Sequence, residues 1–180
     1  IATMDKEKKP NRYSGRGGLG AVMGSKKLKG IVVEEKGTVE IKNKEKYNEI
    51  LKEYSEVVLN APTSVSYKTL GTAATVRTTN DLTGLPVTNF KGAKFEHAEE
   101  ISGESLHRLI KERGGEGKTA HACMPGCIIQ CSNVVPDEEG KTIVSPLEYE
   151  TIGLMGSNLG IGDLDTIAKL NAVCNDLGVD

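Results

Sequence analysis

Three of the four cysteines lie within nine residues of one another, at Cys123, Cys127 and Cys131 in the segment HACMPGCIIQCSN. Thiolates bind soft metals and iron–sulfur clusters, and neighbouring thiolates repel one another unless a cation or cluster takes up their charge. On an ideal helix this spacing gives a single buried stripe. Pro125 and Gly126 disfavour a helix, so we expect an irregular loop. Ligation is favoured over free core thiols, and both are favoured over a disulfide.

The grouping of the ligands separates the possible metal sites. Zinc sites usually have two separated ligand pairs, whereas iron–sulfur clusters commonly combine a tight triplet with a remote ligand. A 4Fe-4S cluster is therefore preferred over zinc. The candidates for a fourth ligand are Cys174, on the predicted apolar face of a helix, and His121, two residues before Cys123. Their commoner roles are a small buried hydrophobe and a hydrogen-bonding neighbour.

A glycine-rich segment near the start, GRGGLG (residues 15–20), is a second candidate site. Glycines expose backbone N–H groups, and a helix beginning near Leu19 directs its positive end toward an anion. Cations nearby favour a phosphorylated cofactor; they are Arg16, Lys26, Lys27 and Lys29. The segment matches neither the Rossmann fingerprint nor a Walker A loop, and a structural tight turn remains an alternative.

Hydrophobic periodicity predicts the elements that position these segments. A short strand or hairpin is predicted for residues 30–41, and an ordered loop with at most one helical turn for residues 69–92. Four helices are predicted, beginning at Lys44, Gly103, Pro146 and just after Asp163. The helix from Gly103 is predicted to end at Arg113, because two glycines follow it. We predict an α+β, predominantly α-helical fold. The glycine-rich loop and β element occupy residues 1–43, and a helical domain follows at residues 44–180.

The last predicted helix and the first have explicit boundaries. The first is amphipathic and ends at Pro62. The last has Asp163 as its N-cap and Gly178 as its C-cap. Its expected buried stripe is Leu164, Ile167, Ala168, Leu170, Val173, Cys174 and Leu177.

Composition excludes several classes of protein. The formal net charge of −2 in 180 residues provides no basic surface for nucleic acid and no polybasic face for a membrane. No apolar run approaches the roughly 20 residues that span a bilayer, and Ile1 begins no recognisable signal peptide. Four cysteines are too few for a secreted disulfide scaffold. We therefore expect a reducing, cytoplasmic location.

Four segments together resemble the aldehyde:ferredoxin oxidoreductases, a family of tungsten-pterin enzymes. They are GRGGLGAVMGSKKLKGIVV, GLPVTNF, CMPGCIIQC followed by EYETIGLMGSNLGI, and DLDTIAKLNAVCNDLGVD. The resemblance covers nearly the whole chain and implies an internal fragment. Residues 1–43 would end the pterin-binding β domain, and residues 44–180 would be an incomplete helical domain with the cysteine loop.

The resemblance implies a role for each matching residue. Cys123, Cys127 and Cys131 hold a 4Fe-4S cluster whose fourth ligand lies beyond residue 180, so Cys174 is not expected to ligate. The residues implied to contact a tungsten or molybdenum bis-pterin, or the magnesium that bridges its phosphates, are Arg16, Gly17, Gly18, Gly20, Asn175, Gly178, Val179 and Asp180. The sequence departs from the common family pattern by one extra residue between the first two cysteines and by asparagine at position 175.

Glu150, in EYET, is implied to be the acid–base residue near the metal, and Glu148 is the alternative. A helix begun at Pro146 directs Glu150 inward with Leu154 and Glu148 to solvent, given about 100° of rotation per residue.

The implied reaction is oxidation of an aldehyde to a carboxylic acid with ferredoxin as electron acceptor. The implied partners are ferredoxin, a small aldehyde and the remainder of the same chain, with a homo-oligomer as a further possibility. Two rival functions remain: a non-catalytic iron–sulfur electron-transfer subunit and a structural zinc module.

Overall fold

A computed structural model of the protein describes residues 2–4, 10–13, 16–34, 37–124 and 126–178. The predicted α+β, mostly helical fold is confirmed. The chain divides into two compact units, one of residues 1–51 with 174–180, and one of residues 52–173. Within the described ranges, no helix has the length and apolar character needed to cross a membrane.

The first unit contains a two-stranded antiparallel ribbon and the start of two helices. Strand β1 (Ala2–Met4) pairs with β2 (Pro10–Tyr13), and a 3-10 turn at Arg16–Gly18 leads into α1 (Leu19–Ser25). Helix α2 (Lys44–Asn60) begins in this unit, as its periodicity predicts. Its apolar face is exposed, however, at Tyr47, Ile50, Leu51, Tyr54 and Val57.

The strand predicted for residues 30–41 is wrong for the described part of that segment. Residues 30–34 and 37–41 form no strand, and Val32 is 98% exposed. A strand needs a partner for its N–H and C=O groups, and no described segment pairs with this one. The apolar residues of this segment therefore predict a strand, but the described chain provides no second strand to pair with it.

The helical part of the second unit is more extensive than predicted. Pro62 begins a helix, α3 (Pro62–Leu70), because proline is well tolerated in a first helical turn. The segment predicted as a loop contains a 3-10 turn (Thr72–Thr75) and α4 (Val76–Asp81). Helix α5 (Gly103–Arg113) has the predicted bounds.

A three-stranded antiparallel sheet lies between the helices and was not predicted from the sequence. Its strands are β3 (Lys118–His121), β4 (Ser132–Pro136) and β5 (Thr142–Val144), with β4 in the middle. Every residue of β4 is buried. The register pairs Val135 with Val144. This sheet connects the cysteine segment to the core.

The helix predicted to begin at Pro146 begins three residues later. Helix α6 (Tyr149–Thr151) continues into a π-helical turn (Ile152–Gly156) and a 3-10 turn (Ser157–Leu159). Residues 145–148 are not helical because hydrogen bonds from other elements hold them, as described below.

Helix α7 (Leu164–Leu177) is capped as predicted, because Asp163 Oδ2 accepts a hydrogen bond from Thr166 N at 2.8 Å. Its predicted buried stripe is half correct. Leu164, Ile167 and Ala168 are buried. The predicted members that are exposed instead are Leu170, Val173 and Leu177.

The core of the second unit joins α4, α5, the sheet and α7. Its buried members are Ala73, Val76, Leu85, Val87, Phe95, Ala98, Ile101, Leu106, Ile110, Val135, Val144, Leu147, Ile152, Leu164, Ile167 and Ala168. Arg113, at the end of α5, links three elements on the edge of this core. Its Nη1 donates to Pro136 O at 3.0 Å, and its two terminal nitrogens donate to the Asp165 carboxylate at 2.6 Å each.

Candidate functional site

The three clustered cysteines lie on an irregular loop, as predicted, between the end of β3 and the start of β4. We call residues 122–131 the cysteine loop; all its described residues lack helix and strand, and Pro125 is outside them. Cys123 is exposed, whereas Cys127 and Cys131 are partly buried, and all three are free thiols. The loop thus presents three thiols from a segment anchored by strands at both ends.

The third cysteine of the loop, Cys131, is affected by burial and by nearby negative groups. Burial raises the pKa of the Cys131 thiol, and the negative charge of Glu148 raises it further. Cys123 and Cys127 add smaller contributions in the same direction. Each of these groups is therefore close enough to Cys131 to disfavour its thiolate. A cation or cluster at this position removes that penalty.

The three thiols of the cysteine loop are potential ligands of a single zinc ion or of a 4Fe-4S cluster. Within the described residues, no three His, Cys, Asp or Glu side chains are grouped so as to hold one metal ion. A 4Fe-4S cluster takes cysteine sulfur as its ligand, and each of its irons binds a different cysteine, so its ligands stand further apart than those of one ion. Cysteine sulfur, the ligand that such a cluster takes, is present three times on this one loop.

The backbone of the cysteine loop packs against the turn that follows α3. Gly71 has φ 71° and ψ −168°, a conformation that is essentially restricted to glycine. A Cβ atom there would lie 3.1 Å from Cys131 O and 3.4 Å from Asn133 Nδ2. The absence of a side chain at Gly71 thus lets the backbone of this turn lie close to the carbonyl of Cys131.

Asn133, two residues after the third cysteine of the loop, joins the loop to the segment before α6. Its side chain is 3% exposed. Its Nδ2 donates to Leu147 O at 2.8 Å, and its Oδ1 accepts from Leu147 N at 2.9 Å. Ser145 Oγ also donates to Asn133 O at 3.0 Å. Sequence analysis missed this residue, although a polar side chain before the apolar pair of a short strand is a usable signal.

The two glutamates of the acidic segment (residues 148–150) are oriented opposite to the prediction. Glu148 is partly buried and its Oε2 accepts a hydrogen bond from Thr72 Oγ1 at 2.6 Å. Thr72 Oγ1 in turn accepts from Tyr149 N at 2.9 Å. Glu150 and Leu154 are both exposed. The prediction failed because the helix starts at Tyr149, not at Pro146. The acid–base role of Glu150 itself stays a prediction.

In the glycine loop (residues 15–20), residues 17–20 are exposed. Gly17 and Gly18 have φ values of 82° and 70°, so the turn uses conformations that favour glycine. Helix α1 begins at Leu19, as predicted, and Gly20 lies in its first turn. A Cβ atom at Gly17 or Gly18 would meet no other group within 4 Å. The glycine loop leaves its backbone accessible, and its phosphate-binding role stays a prediction, together with that of Arg16.

Two of the predicted pterin-binding residues lie at the end of α7. Asn175 is in its last turn, and Gly178 follows it. Gly178 has φ 68°, and its N–H donates to Asn175 O at 3.3 Å, which forms the predicted C-cap. Tyr13 Oη donates to the same carbonyl at 2.8 Å, so β2 and the end of α7 meet in the first unit. Burial, with a smaller effect of Asp176, raises the pKa of Tyr13. Val179 and Asp180 lie outside the described residues.

Comparisons with known proteins point to one family over both parts of the chain. The family description "Aldehyde ferredoxin oxidoreductase, N-terminal domain" matches residues 1–35, and "Aldehyde ferredoxin oxidoreductase, domains 2 & 3" matches residues 49–180. A tungsten-containing aldehyde ferredoxin oxidoreductase from Pyrococcus furiosus is 37% identical over 172 residues, and one from Thermococcus kodakarensis is 37% identical over 171 residues.

A more distant relative carries a different name. The aliphatic sulfonate oxidoreductase, WOR-like subunit, of Pyrococcus furiosus is 29% identical over 174 residues. The alignments with the first two relatives cover 94% of this chain but 27% of each relative. The chain therefore corresponds to a minor part of the length of the curated relatives that it matches.

Proposed function

Because this chain belongs to the aldehyde ferredoxin oxidoreductase family, we propose that it is the cluster-binding part of a tungsten-pterin enzyme that oxidises aldehydes. The observation that supports this most strongly is the cysteine loop. Cys123 and Cys127 both raise the pKa of Cys131, and all three lie on a loop that Asn133 fixes to the core. Such a donor set suits a 4Fe-4S cluster, with a fourth ligand outside this chain.

The proposed reaction converts an aldehyde and water into a carboxylate, three protons and two electrons, with ferredoxin as the final acceptor. When bound, a tungsten-pterin supplies two-electron oxidation, and an iron–sulfur cluster supplies one-electron transfer. The residues of this chain bind these groups and handle protons. Glu150, or alternatively Glu148, accepts a proton from the water that attacks the aldehyde, which is the usual role of a carboxylate general base.

The glycine loop and the end of α7 are the proposed pterin contacts. The backbone of Gly17, Gly18 and Gly20, together with Arg16, suits the pterin phosphates and the magnesium between them. Asn175 and Gly178 are proposed to contact a pterin, as are Val179 and Asp180. The four cysteines are free thiols, which suits the proposed cytoplasmic location.

Metal analysis of the complete, anaerobically purified enzyme tests this function, with Cys127→Ser and Cys174→Ser as a matched pair. Both variants remove one thiol, but only Cys127 belongs to the proposed ligand set. We expect Cys127→Ser to lose iron and electron transfer to ferredoxin while it keeps most of its tungsten, and Cys174→Ser to keep both metals. Equal losses of iron and tungsten in Cys127→Ser would contradict the separation of the two sites.

The same preparation separates the rival functions. A brown protein with iron but neither tungsten nor molybdenum supports an electron-transfer subunit. A colourless protein with bound zinc supports a zinc module. A protein with both iron and tungsten that does not reduce viologen dyes with any aldehyde supports a different substrate class.

Glu150→Gln, compared with Glu148→Gln, tests the proton-transfer assignment in the complete enzyme. We expect Glu150→Gln to lower turnover about 100-fold, a typical contribution of a general base, with metal content retained. A larger loss in Glu148→Gln would exchange the two roles. Small and equal losses would remove both residues from the reaction.

A further inference from the structure

Hydrogen bonds hold the segment before α6 beside the strand that follows the cysteine loop. Strands β4 and β5 are antiparallel, with Val135 opposite Val144. Beyond the end of β5, the Asn133 side chain bonds the N–H and C=O of Leu147, and Ser145 Oγ donates to Asn133 O. Residues 145–147 therefore lie beside Asn133, which is two residues from Cys131, and Glu148 follows directly.

A second tether holds the Glu148 side chain in this neighbourhood. Thr72 Oγ1 donates to Glu148 Oε2 at 2.6 Å. Thr72 follows Gly71, whose missing Cβ would stand 3.1 Å from Cys131 O. Gly71, which packs against Cys131, is thus the chain neighbour of Thr72, which binds the Glu148 carboxylate.

We propose that the Glu148 carboxylate, held by Thr72, is a fixed negative charge that lowers the reduction potential of the cluster bound by Cys123, Cys127 and Cys131. The inference rests on the proposed function, because it requires the cluster. Reduction adds an electron to the cluster, and a nearby negative charge makes that step less favourable. The charge and hydrogen bonding around an iron–sulfur cluster are known to set its potential.

The position of Glu148 makes this effect larger than that of the surrounding acidic residues. Glu148 is partly buried, so solvent screens its charge less than that of an exposed carboxylate. Glu150, two residues along the chain, is exposed, and Glu139 is exposed on the turn between β4 and β5. In the function proposed here, a lower potential helps the reduced cluster to pass its electron to an external acceptor.

Redox titration of the complete, metal-loaded enzyme at fixed pH tests the proposal, with the reduced cluster followed by electron paramagnetic resonance. The variant is Glu148→Gln, and the matched controls that remove one negative charge are Glu150→Gln and Glu139→Gln. At the wild-type midpoint potential, we expect the reduced-to-oxidised ratio to rise about tenfold in Glu148→Gln, which corresponds to about 59 mV for one electron. The controls should change it less than threefold.

Two further variants separate charge from shape. Glu148→Asp keeps the charge and should keep a potential closer to that of the wild type. Thr72→Val removes the hydrogen bond but not the charge, so the carboxylate can turn toward solvent, and a smaller rise is expected. Iron and acid-labile sulfide are measured in each variant, so that cluster loss is not mistaken for a change in potential.

Each outcome supports or overturns a defined claim. A wild-type enzyme without an iron–sulfur signal overturns the proposed function and this inference with it. A wild-type cluster whose potential is the same in Glu148→Gln and Glu139→Gln overturns this inference alone. If Glu148→Gln fails to hold the cluster, Thr72→Val decides, and an unchanged potential in that variant also overturns the inference.

Discussion

The cysteine loop and the glycine loop are both proposed to hold a cofactor, but they differ in what keeps them in place. Strands flank the cysteine loop, and the buried side chain of Asn133 connects it to the core. By contrast, residues 17–20 of the glycine loop are exposed, and α1 buries none of its residues. One loop is shaped by the described chain, whereas the other has no such support within it.

This difference separates two ways of building a cofactor site. The cysteine loop is held by strands and by buried hydrogen bonds, so a substitution in its supports should change both stability and binding of the proposed cluster. The glycine loop contributes accessible backbone groups, so a substitution there should change the fold little and cofactor binding more. The three predictions below test this contrast, from the largest expected effect on stability to the smallest.

Asn133→Ala should be the most destabilising of the changes considered. It leaves the N–H and C=O groups of Leu147 without their partner, and each unsatisfied buried group costs about 1–3 kcal/mol. We expect the free energy of unfolding of this chain to fall by about 2–6 kcal/mol in urea titrations. The control is Asn60→Ala, which removes an exposed side-chain bond to Glu56 O. Equal effects of the two substitutions would contradict the anchoring role of Asn133.

Gly71→Ala and Gly18→Ala compare the two loops through the same chemical change. Both glycines have positive φ, at 71° and 70°. Gly71 also has ψ −168° and a close contact with Cys131 O, so alanine there should cost about 1–3 kcal/mol in backbone strain and displace the cysteine. Gly18→Ala has open space and a left-handed conformation, and should cost about 1 kcal/mol.

Unfolding of the chain measures both effects, and iron content of the complete enzyme gives a second readout. Iron content should fall in Gly71→Ala and stay unchanged in Gly18→Ala. A larger loss of iron or of stability in Gly18→Ala would reverse the comparison.

The smallest effect is expected at the far end of β4, where Arg113 binds Pro136 O and Asp165. The hydrogen bonds from Arg113 lower the pKa of the Asp165 carboxyl, against the opposing effect of burial. Because the folded pKa is below the ordinary 3.8, the pair stabilises the fold fully above that pH. Its contribution is lost as the pH falls through the folded value.

Asp165→Asn should therefore lower the free energy of unfolding by about 1 kcal/mol at pH 7 and by progressively less below pH 3.8. Urea titrations across this pH range measure the difference. Glu99→Gln, in the exposed pair with Arg77, is the control and should change stability less. A difference between wild type and Asp165→Asn that grows as the pH falls would show that the sign is wrong.

The sequence predicts best where local signals and tertiary structure agree. Helix α5 has the predicted bounds because Gly114 ends it with a positive φ and its inward side chains pack in the core. The same holds for the cap at Asp163. Family membership was also correctly predicted, because several short motifs occur together along the chain.

The sequence predicts poorly where distant segments decide local structure. Strands β3 and β5 have four and three residues, and short strands of this kind exist only through their pairing with β4. The start of α6 depends on two hydrogen bonds with residues that are distant in sequence. Leu147 N donates to Asn133 Oδ1, and Tyr149 N donates to Thr72 Oγ1. The orientation of the two glutamates follows from that start, so periodicity alone could not predict it.

The cysteine triplet could be identified from spacing, but its support could not. Nothing in the local sequence shows that Gly71 packs against Cys131 or that Thr72 binds Glu148. Both lie in a segment whose composition indicates a loop. The irregular loop that carries the three cysteines was therefore predictable, whereas the groups that surround it were not.

The bond between Thr72 and Glu148 has a consequence for the order in which the chain folds. The two residues are 76 positions apart, and Ser157 Oγ donates to Pro86 O across 71 positions. Contacts of such long sequence separation form late, because a large loop must close first. During synthesis, the cysteines emerge before Leu147 and Glu148 exist to hold them. The proposed cluster can thus acquire its final surroundings only after translation has passed the acidic segment.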